Sequence, residues 1–430
     1  LPSRCIARQA QREKRPALLP HSNAPRTIRI ADDFQIPREA AADVVTAGPL
    51  GPSRTAVIRW SIAAIFFLNG FVFASWVPHI PGVMERHALT TGQLGTLLLA
   101  MAAGAMCALP LAGAITQRFG SRAVTIVCAT GFCLMLPLPV IAPGVWLAAI
   151  ALFVFGVLNA TLDVAMNAQG AELEMRMDKP IMSSLHGGFS LGGLVGAAMA
   201  AALLEAGVTA SVHVLAIAAL STAAVAIAAH SLLPAPGRAT PIHANLTLPS
   251  GPLLALGALT FAALLIEGAM GDWSAVYLKR EVGMDAGGAA LGFAAFSLTM
   301  AVCRFAGDAI THRFGAAALV RASALIAFAG MLMALLLHYP ATALTGFALV
   351  GLGMANLIPI LFGTAARSRP DHPGAGIAAV ATTGYLGFIA GPPAIGWLAD
   401  FIGLTGALGL LAVLCAGVAF GAPAVSRIRS

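Results

Sequence analysis

Twelve apolar stretches, each longer than 20 residues and nearly free of charge, follow one another between residues 57 and 424. This pattern leaves few folds open. A bilayer takes about 20 apolar residues per helical crossing, and in hydrocarbon each segment must satisfy its own backbone N–H and C=O groups. The spans fall near 57–80, 92–116, 122–142, 144–168, 183–205, 211–233, 252–278, 287–310, 316–337, 341–364, 373–397 and 401–424. The predicted fold is an all-α membrane protein with twelve transmembrane helices. Charged residues make up 10% of the chain and hydrophobic ones 58%. A water-soluble domain carries about 25% charged residues, so the expected solvent is the lipid bilayer.

The loops give an orientation. With the N-terminus inside, the cytoplasmic loops and the C-terminal end hold Arg118, Arg122, Arg176, Lys179, Arg238, Arg313, Arg321, Arg367, Arg369, Arg427 and Arg429. The outer loops hold Arg86, Lys279 and Arg280. Basic loops stay cytoplasmic, so both termini are expected there. The net charge of +7 belongs to this topology. No basic patch is interleaved with stacking aromatics, and nucleic-acid binding is not indicated. Residues 1–55 are polar and lack a signal-peptide core. They read as a disordered cytoplasmic tail, or as the product of an early start site; Asp32, Asp33, Glu39 and Asp43 make them too acidic for a transit peptide. The longest break, 234–250, carries Pro234, Pro236, Pro241 and Pro249. It divides the membrane part into 56–233 and 251–425, six spans each.

The two parts repeat each other. Ala114-Ile115-Thr116-Gln117-Arg118-Phe119-Gly120 recurs 195 residues later as Ala309-Ile310-Thr311-His312-Arg313-Phe314-Gly315. The same offset carries Leu191-Gly192 and Gly196 onto Leu386-Gly387 and Gly391, and Gly156 onto Gly351. Parallel duplication of six helices is a transporter architecture, with solute bound between the bundles near the midplane.

The loop Gly113-Ala114-Ile115-Thr116-Gln117-Arg118-Phe119-Gly120-Ser121-Arg122 resembles the signature of the major facilitator superfamily. Arg118 and Gly120 match it. The usual acidic residue before the first arginine is replaced by Gln117, and by His312 in the second copy. The acid's contact between helices is therefore not carried over. Phe66-Phe67-Leu68-Asn69-Gly70-Phe71, Pro78-His79 and Leu109-Pro110 are similar to the fucose–proton symporter branch and its bacterial inner-membrane relatives. So are Asp163 with Asn167, and His186 with Ser190-Leu191-Gly192. The resemblance implies two six-helix bundles, a multi-pass protein of the bacterial inner (plasma) membrane, a monomer, and a small solute moved with protons. One departure bears on the solute. The sugar symporter has an acidic residue in the outer part of its first helix, where this chain has Ala74-Ser75-Trp76.

Ionisable groups inside a membrane are expensive and mark pathways for ions or solutes. Asn159, Asp163 and Asn167 are spaced i, i+4, i+8 and share one helix face. Apolar surroundings disfavour an ionised carboxylate, which suits Asp163 to proton exchange; the bland alternative is pairing with a basic loop. His186 is a proton relay, a solute ligand or a packing histidine. Glu267 lies in Glu267-Gly268-Ala269-Met270-Gly271-Asp272-Trp273, where the glycines predict a weakened helix that lines the site. Asp272 and Trp273 are substrate candidates nearer the outside, Trp273 alternatively an interfacial anchor. Asn69 and Asn356 are ligands or helix–helix glue. Arg304 and Asp308, i and i+4, are an intrahelical pair or a gate contact.

Gly188-Phe189-Ser190-Leu191-Gly192 matches the hydrolase elbow pattern, but that motif needs a strand before it. Gly188, Gly192 and Gly196 every fourth residue, repeated at Gly387 and Gly391, instead allow two helices to approach closely. No nucleotide loop, metal motif or cofactor fingerprint is present. The leading function is a proton-coupled symporter. The nearest rival is a proton-driven efflux antiporter, followed by a membrane-embedded enzyme or a non-transporting sensor.

Overall fold

The structure, a computed structural model, describes residues 51–177, 179, 181–234, 251, 253–368 and 373–427. Most of the expected tail and linker, with Arg238, Arg369 and Arg429, lies outside the described residues. The first half of the chain forms α1 (Pro52–Trp76), a 3-10 turn (Val77–His79), α2 (Ile80–Arg86), α3 (Thr91–Phe119), α4 (Ser121–Met135), α5 (Pro137–Ile141), α6 (Val145–Met177), α7 (Met182–Glu205) and α8 (Ala210–Ala229). The second half forms α9 (Leu253–Arg280), α10 (Ala286–Phe314), α11 (Ala316–Leu337), α12 (Pro340–Met354), α13 (Leu357–Arg367), α14 (Pro373–Gly421) and α15 (Pro423–Arg427).

The fold is all-α. Among the described residues, eleven helical segments are long and apolar enough to cross a membrane. The last, Ala379–Ser426, has 48 residues. At 1.5 Å per residue that is roughly 70 Å, far beyond one bilayer. It breaks at Gly403, whose φ of 77° is left-handed. Counting its two pieces separately gives a number consistent with the expected twelve. Residues 52–55, expected in the tail, belong to α1. Pro52 stands in its first turn, where a missing N–H costs nothing.

Helix ends repeat at the same offset of 195. Thr90 caps α3 through the Gln93 N–H, and Asp285 caps α10 through the Gly288 N–H. Gly120 and Gly315 end these helices with φ of 84° and 82°. Close packing repeats as well. A β-carbon at Gly156 would run into the carbonyl of Met101, and one at Gly351 into that of Phe296. The halves meet through two equivalent helix pairs, α3 with α14 and α7 with α10.

One helix differs from expectation. The glycines at 268 and 271 predict a weak point, yet α9 runs unbroken from Leu253 to Arg280. The Phe388 ring packs against Gly268, and Phe73 and Phe293 stand over Gly271. With aromatic rings filling the space, the backbone keeps its own hydrogen bonds, as an apolar environment requires. The break falls instead at Ala355 and Asn356, between α12 and α13.

Candidate functional site

A cavity of about 280 Å³ lies between the halves. The duplication supplies its walls. Leu98 and Phe293, Met101 and Phe296, Ala102 and Ser297, and Ser190 and Tyr385 all line it, and each pair is related by the offset of 195. Charge breaks this symmetry, because Arg304 occupies the position equivalent to Leu109. Asp163, Glu267 and Asp272 bring three carboxylates to the same space. Equivalent backbones thus build the cavity, and unequal side chains give it chemistry.

Two polar chains enter it. In the first, Asn167 Nδ2 donates to the Asp163 carboxylate at 3.2 Å and to the Asp163 carbonyl at 2.7 Å. His186 Nε2 donates to Asn167 Oδ1 at 3.1 Å, which requires a proton on Nε2. His186 therefore reaches Asp163 through an amide rather than directly. Its ring also meets Phe66 edge-on, with centroids 5.2 Å apart. In the second chain, Arg304 lies 3.5 Å from Glu267 Oε1. The same guanidinium donates to Ser190 Oγ at 3.5 Å and to the Ala355 carbonyl at 3.3 Å. Arg304 and Glu267 belong to the second half and Ser190 to the first, so this chain crosses between halves. The Asp308 side chain lies outside the described residues. Tyr385 lines the same cavity as Asp163 and Glu267.

The remaining candidates divide. Asn159 and Asp272 line the cavity. Asp272 is 7% exposed. Asn69 is buried against Met166 Sδ and lies away from the cavity. Asn356 donates to the Cys303 carbonyl at 3.4 Å, joining the α12–α13 break to α10. Trp273 is neither cavity-lining nor interfacial. It is fully buried, because α9 turns it into the core on a face different from that of Asp272.

The loop motif is held by other partners. Arg118 and Arg313 lie over the rings of their neighbours Phe119 and Phe314. Arg122 donates to the Ala229 carbonyl at 3.1 Å. Gln169, which the sequence reading passed over, is wholly buried. It binds Ser121 Oγ and the backbone of Leu233, tying α6 to the first turn of α4 and to the segment after α8. Gly113 meets nothing nearby. Among the packing glycines, β-carbons at Gly192 and Gly196 would strike the carbonyls of Phe67 and Phe71 on α1. One at Gly387 would strike the carbonyl of Phe261, whereas Gly188 and Gly391 have ordinary contacts.

The halves are also joined at the end expected outside. Asp400 accepts hydrogen bonds from Thr90, Thr91 and Gly92. Lys279 pairs with Glu85 at 2.7 Å, and Trp397 Nε1 donates to Thr96 at 3.1 Å. Sequence reasoning overlooked Asp400 and Tyr385. The duplication held a signal for both, since the offset maps them onto Glu205 and Ser190.

Comparison with known proteins bears on the fold and family. The family model for the Major Facilitator Superfamily matches residues 62–271 and 255–428. An uncharacterised transporter of this type from Yersinia pestis is 37% identical over 363 residues, covering 84% of this chain and 94% of that protein. Membrane protein MosC of Rhizobium meliloti is 36% identical over 370 residues, covering 83% and 87%. Among solved structures, a point mutant of the nucleoside transporter NupG matches with TM-score 0.70 and 11% identity, over 86% of this chain and 99% of that one. A bacterial homologue of the human lysosomal transporter Spinster, inward-facing and unoccupied, gives TM-score 0.70 and 12% identity, over 88% and 98%. At such identities the structures bear on fold alone.

Proposed function

The chain belongs to the major facilitator superfamily, a family of membrane transporters, and from that premise we propose that it moves a small solute by proton-coupled alternating access. The observation that carries the proposal is the cavity between duplicated halves, lined by both Asp163 and Glu267. Each carboxylate engages a group able to respond to its charge. Protonating Glu267 removes the ionic hold on Arg304, whose guanidinium also bonds Ser190 across the halves. The proton thus alters a contact that must rearrange when the bundles rock. Asp163 connects through Asn167 to His186, a group that can accept or release a proton.

In this reading the bundles are 56–233 and 251–425, both termini are cytoplasmic, and the protein is a monomer of the bacterial inner membrane. The bonds of Asp400, Lys279 and Trp397 join the halves at the end this reading places outside. Symport is the preferred direction, on the resemblance to the fucose–proton symporter branch. Proton-driven exchange is the second reading. Three cavity carboxylates against one arginine favour it, because a proton and a cationic solute would compete for them.

The test is uptake and counterflow in proteoliposomes with an imposed pH gradient, over a panel of sugars, small acids, nucleosides and amines. Symport predicts accumulation when the outside is acid. Asp163→Asn or Glu267→Gln then loses accumulation and keeps counterflow. Accumulation only under the reversed gradient supports exchange. If no solute moves, or both variants accumulate solute like the parent protein, proton coupling through these residues is wrong.

A further inference from the structure

Asp272 is more than nine-tenths buried, and it faces the cavity. Among the described residues it has no hydrogen-bond or ionic partner. Arg304, which shares the cavity, pairs with Glu267; at the end of the same helix Lys279 pairs with Glu85 and Arg280 reaches Met84 Sδ at 3.5 Å. A buried carboxylate without a partner is costly when ionised. Its surroundings are aromatic. Phe73 and Phe293 come from opposite halves, with ring centroids 6.4 Å apart. Both line the cavity and stand over Gly271, the residue before Asp272. The Phe296 ring stacks on that of Phe293, with centroids 5.9 Å apart.

We infer that the solute is an amphipathic organic cation whose charged nitrogen binds Asp272 beside the rings of Phe73 and Phe293. The inference deepens the transport reading of this cavity and rests on it. An ammonium group supplies the charge that the carboxylate lacks, and aromatic faces attract cations through their quadrupole. The solute's apolar body lies along Met101, Phe296 and Met300. Asp272 is five residues from Glu267 on an unbroken helix, about 7–8 Å along its axis. Solute charge and coupling proton thus have separate carboxylates. Phe73 and Phe293 come from different halves, so binding there also reports whether the halves are closed over the solute.

The test uses the full chain in lipid nanodiscs with radiolabelled benzyltrimethylammonium, a permanent cation. Saturable binding is expected, competed by the unlabelled cation but not by uncharged 2,2-dimethylpropylbenzene or by phenylacetate. Asp272→Asn weakens it at least tenfold and Asp272→Glu less. Phe293→Leu weakens it about threefold or more, as loss of a ring contact to a cation predicts. If Asp272→Asn does not fold, the Glu and Leu variants carry the test. Absence of saturable binding overturns the inference, as does unchanged affinity in the Asn variant. Saturable phenylacetate binding that depends on Arg304 also overturns it and assigns an anion instead. No gradient enters this measurement. Cation binding without proton coupling in proteoliposomes therefore counts against the transport mechanism alone.

Discussion

The carboxylate of Asp400, in the second half of the chain, accepts the backbone N–H of Gly92, in the first turn of a first-half helix, at 3.0 Å. Such an N–H has no partner within its own helix, and a carboxylate there satisfies it and complements the helix dipole. Thr90 and Thr91 add their hydroxyls to the same group. The duplication places Glu205 and Gly287 at the corresponding positions, and a β-carbon at Gly287 would meet the Ala201 carbonyl and Glu205. The two equivalent contacts at this end of the interface thus share a backbone plan, but of the two carboxylates only Asp400 has a described bond across it.

Asp400→Ala is expected to favour opening of the outer end. A lost cap costs about 1 kcal/mol, which corresponds to roughly a fivefold shift in the equilibrium. Double electron–electron resonance between labels at positions 88 and 402, in a background without native cysteines, should show a larger long-distance population. An unchanged distance distribution would mean that Asp400 is a passive surface contact.

Gly192 offers a sharper structural test. A methyl group there meets the Phe67 carbonyl of α1, whereas one at Gly188 would stand 3.6 Å from the Ala63 carbonyl. Gly192→Ala should lower the thermal midpoint in fluorescence-detected size exclusion, by the equivalent of about 1–3 kcal/mol. Gly188→Ala should match the parent protein or exceed it, because alanine is the better helix former. Equal midpoints for the two variants would show that α1 and α7 adjust without strain.

The fold was legible because hydrocarbon imposes one rule on every segment: a long apolar run must be a helix. The duplication was legible because Gly156 and Gly351, or Gly120 and Gly315, serve the same backbone purpose in both halves. Side-chain partners were harder to read. Arg304 and Asp308 satisfy helical spacing, but spacing along one helix does not show that Glu267 approaches from another. The glycines after Glu267 suggested a break, although Phe388, Phe73 and Phe293, distant in sequence, fill the space beside them. Trp273 resembled an interfacial residue by its distance from the helix end. Its face of the helix, set by packing, buries it.

The link between Arg304 and Glu267 leads to the last prediction. Both side chains are about one-quarter exposed, so cavity water moderates their attraction. Removing one partner still leaves the other charged in a mostly apolar cavity, which is worse than removing both. Arg304→Gln should therefore destabilise the protein, by on the order of 1–2 kcal/mol, and Glu267→Gln should do so less, since Arg304 retains Ser190 and the Ala355 carbonyl. The double variant should be more stable than the sum of the two losses implies. Arg304→Lys should not restore the parent behaviour, because one ammonium cannot reproduce the guanidinium's spread across Glu267, Ser190 and Ala355. Thermal midpoints of the four variants in matched detergent measure this coupling. Strict additivity of the single changes would show that the pair stores no interaction energy for the proton to release.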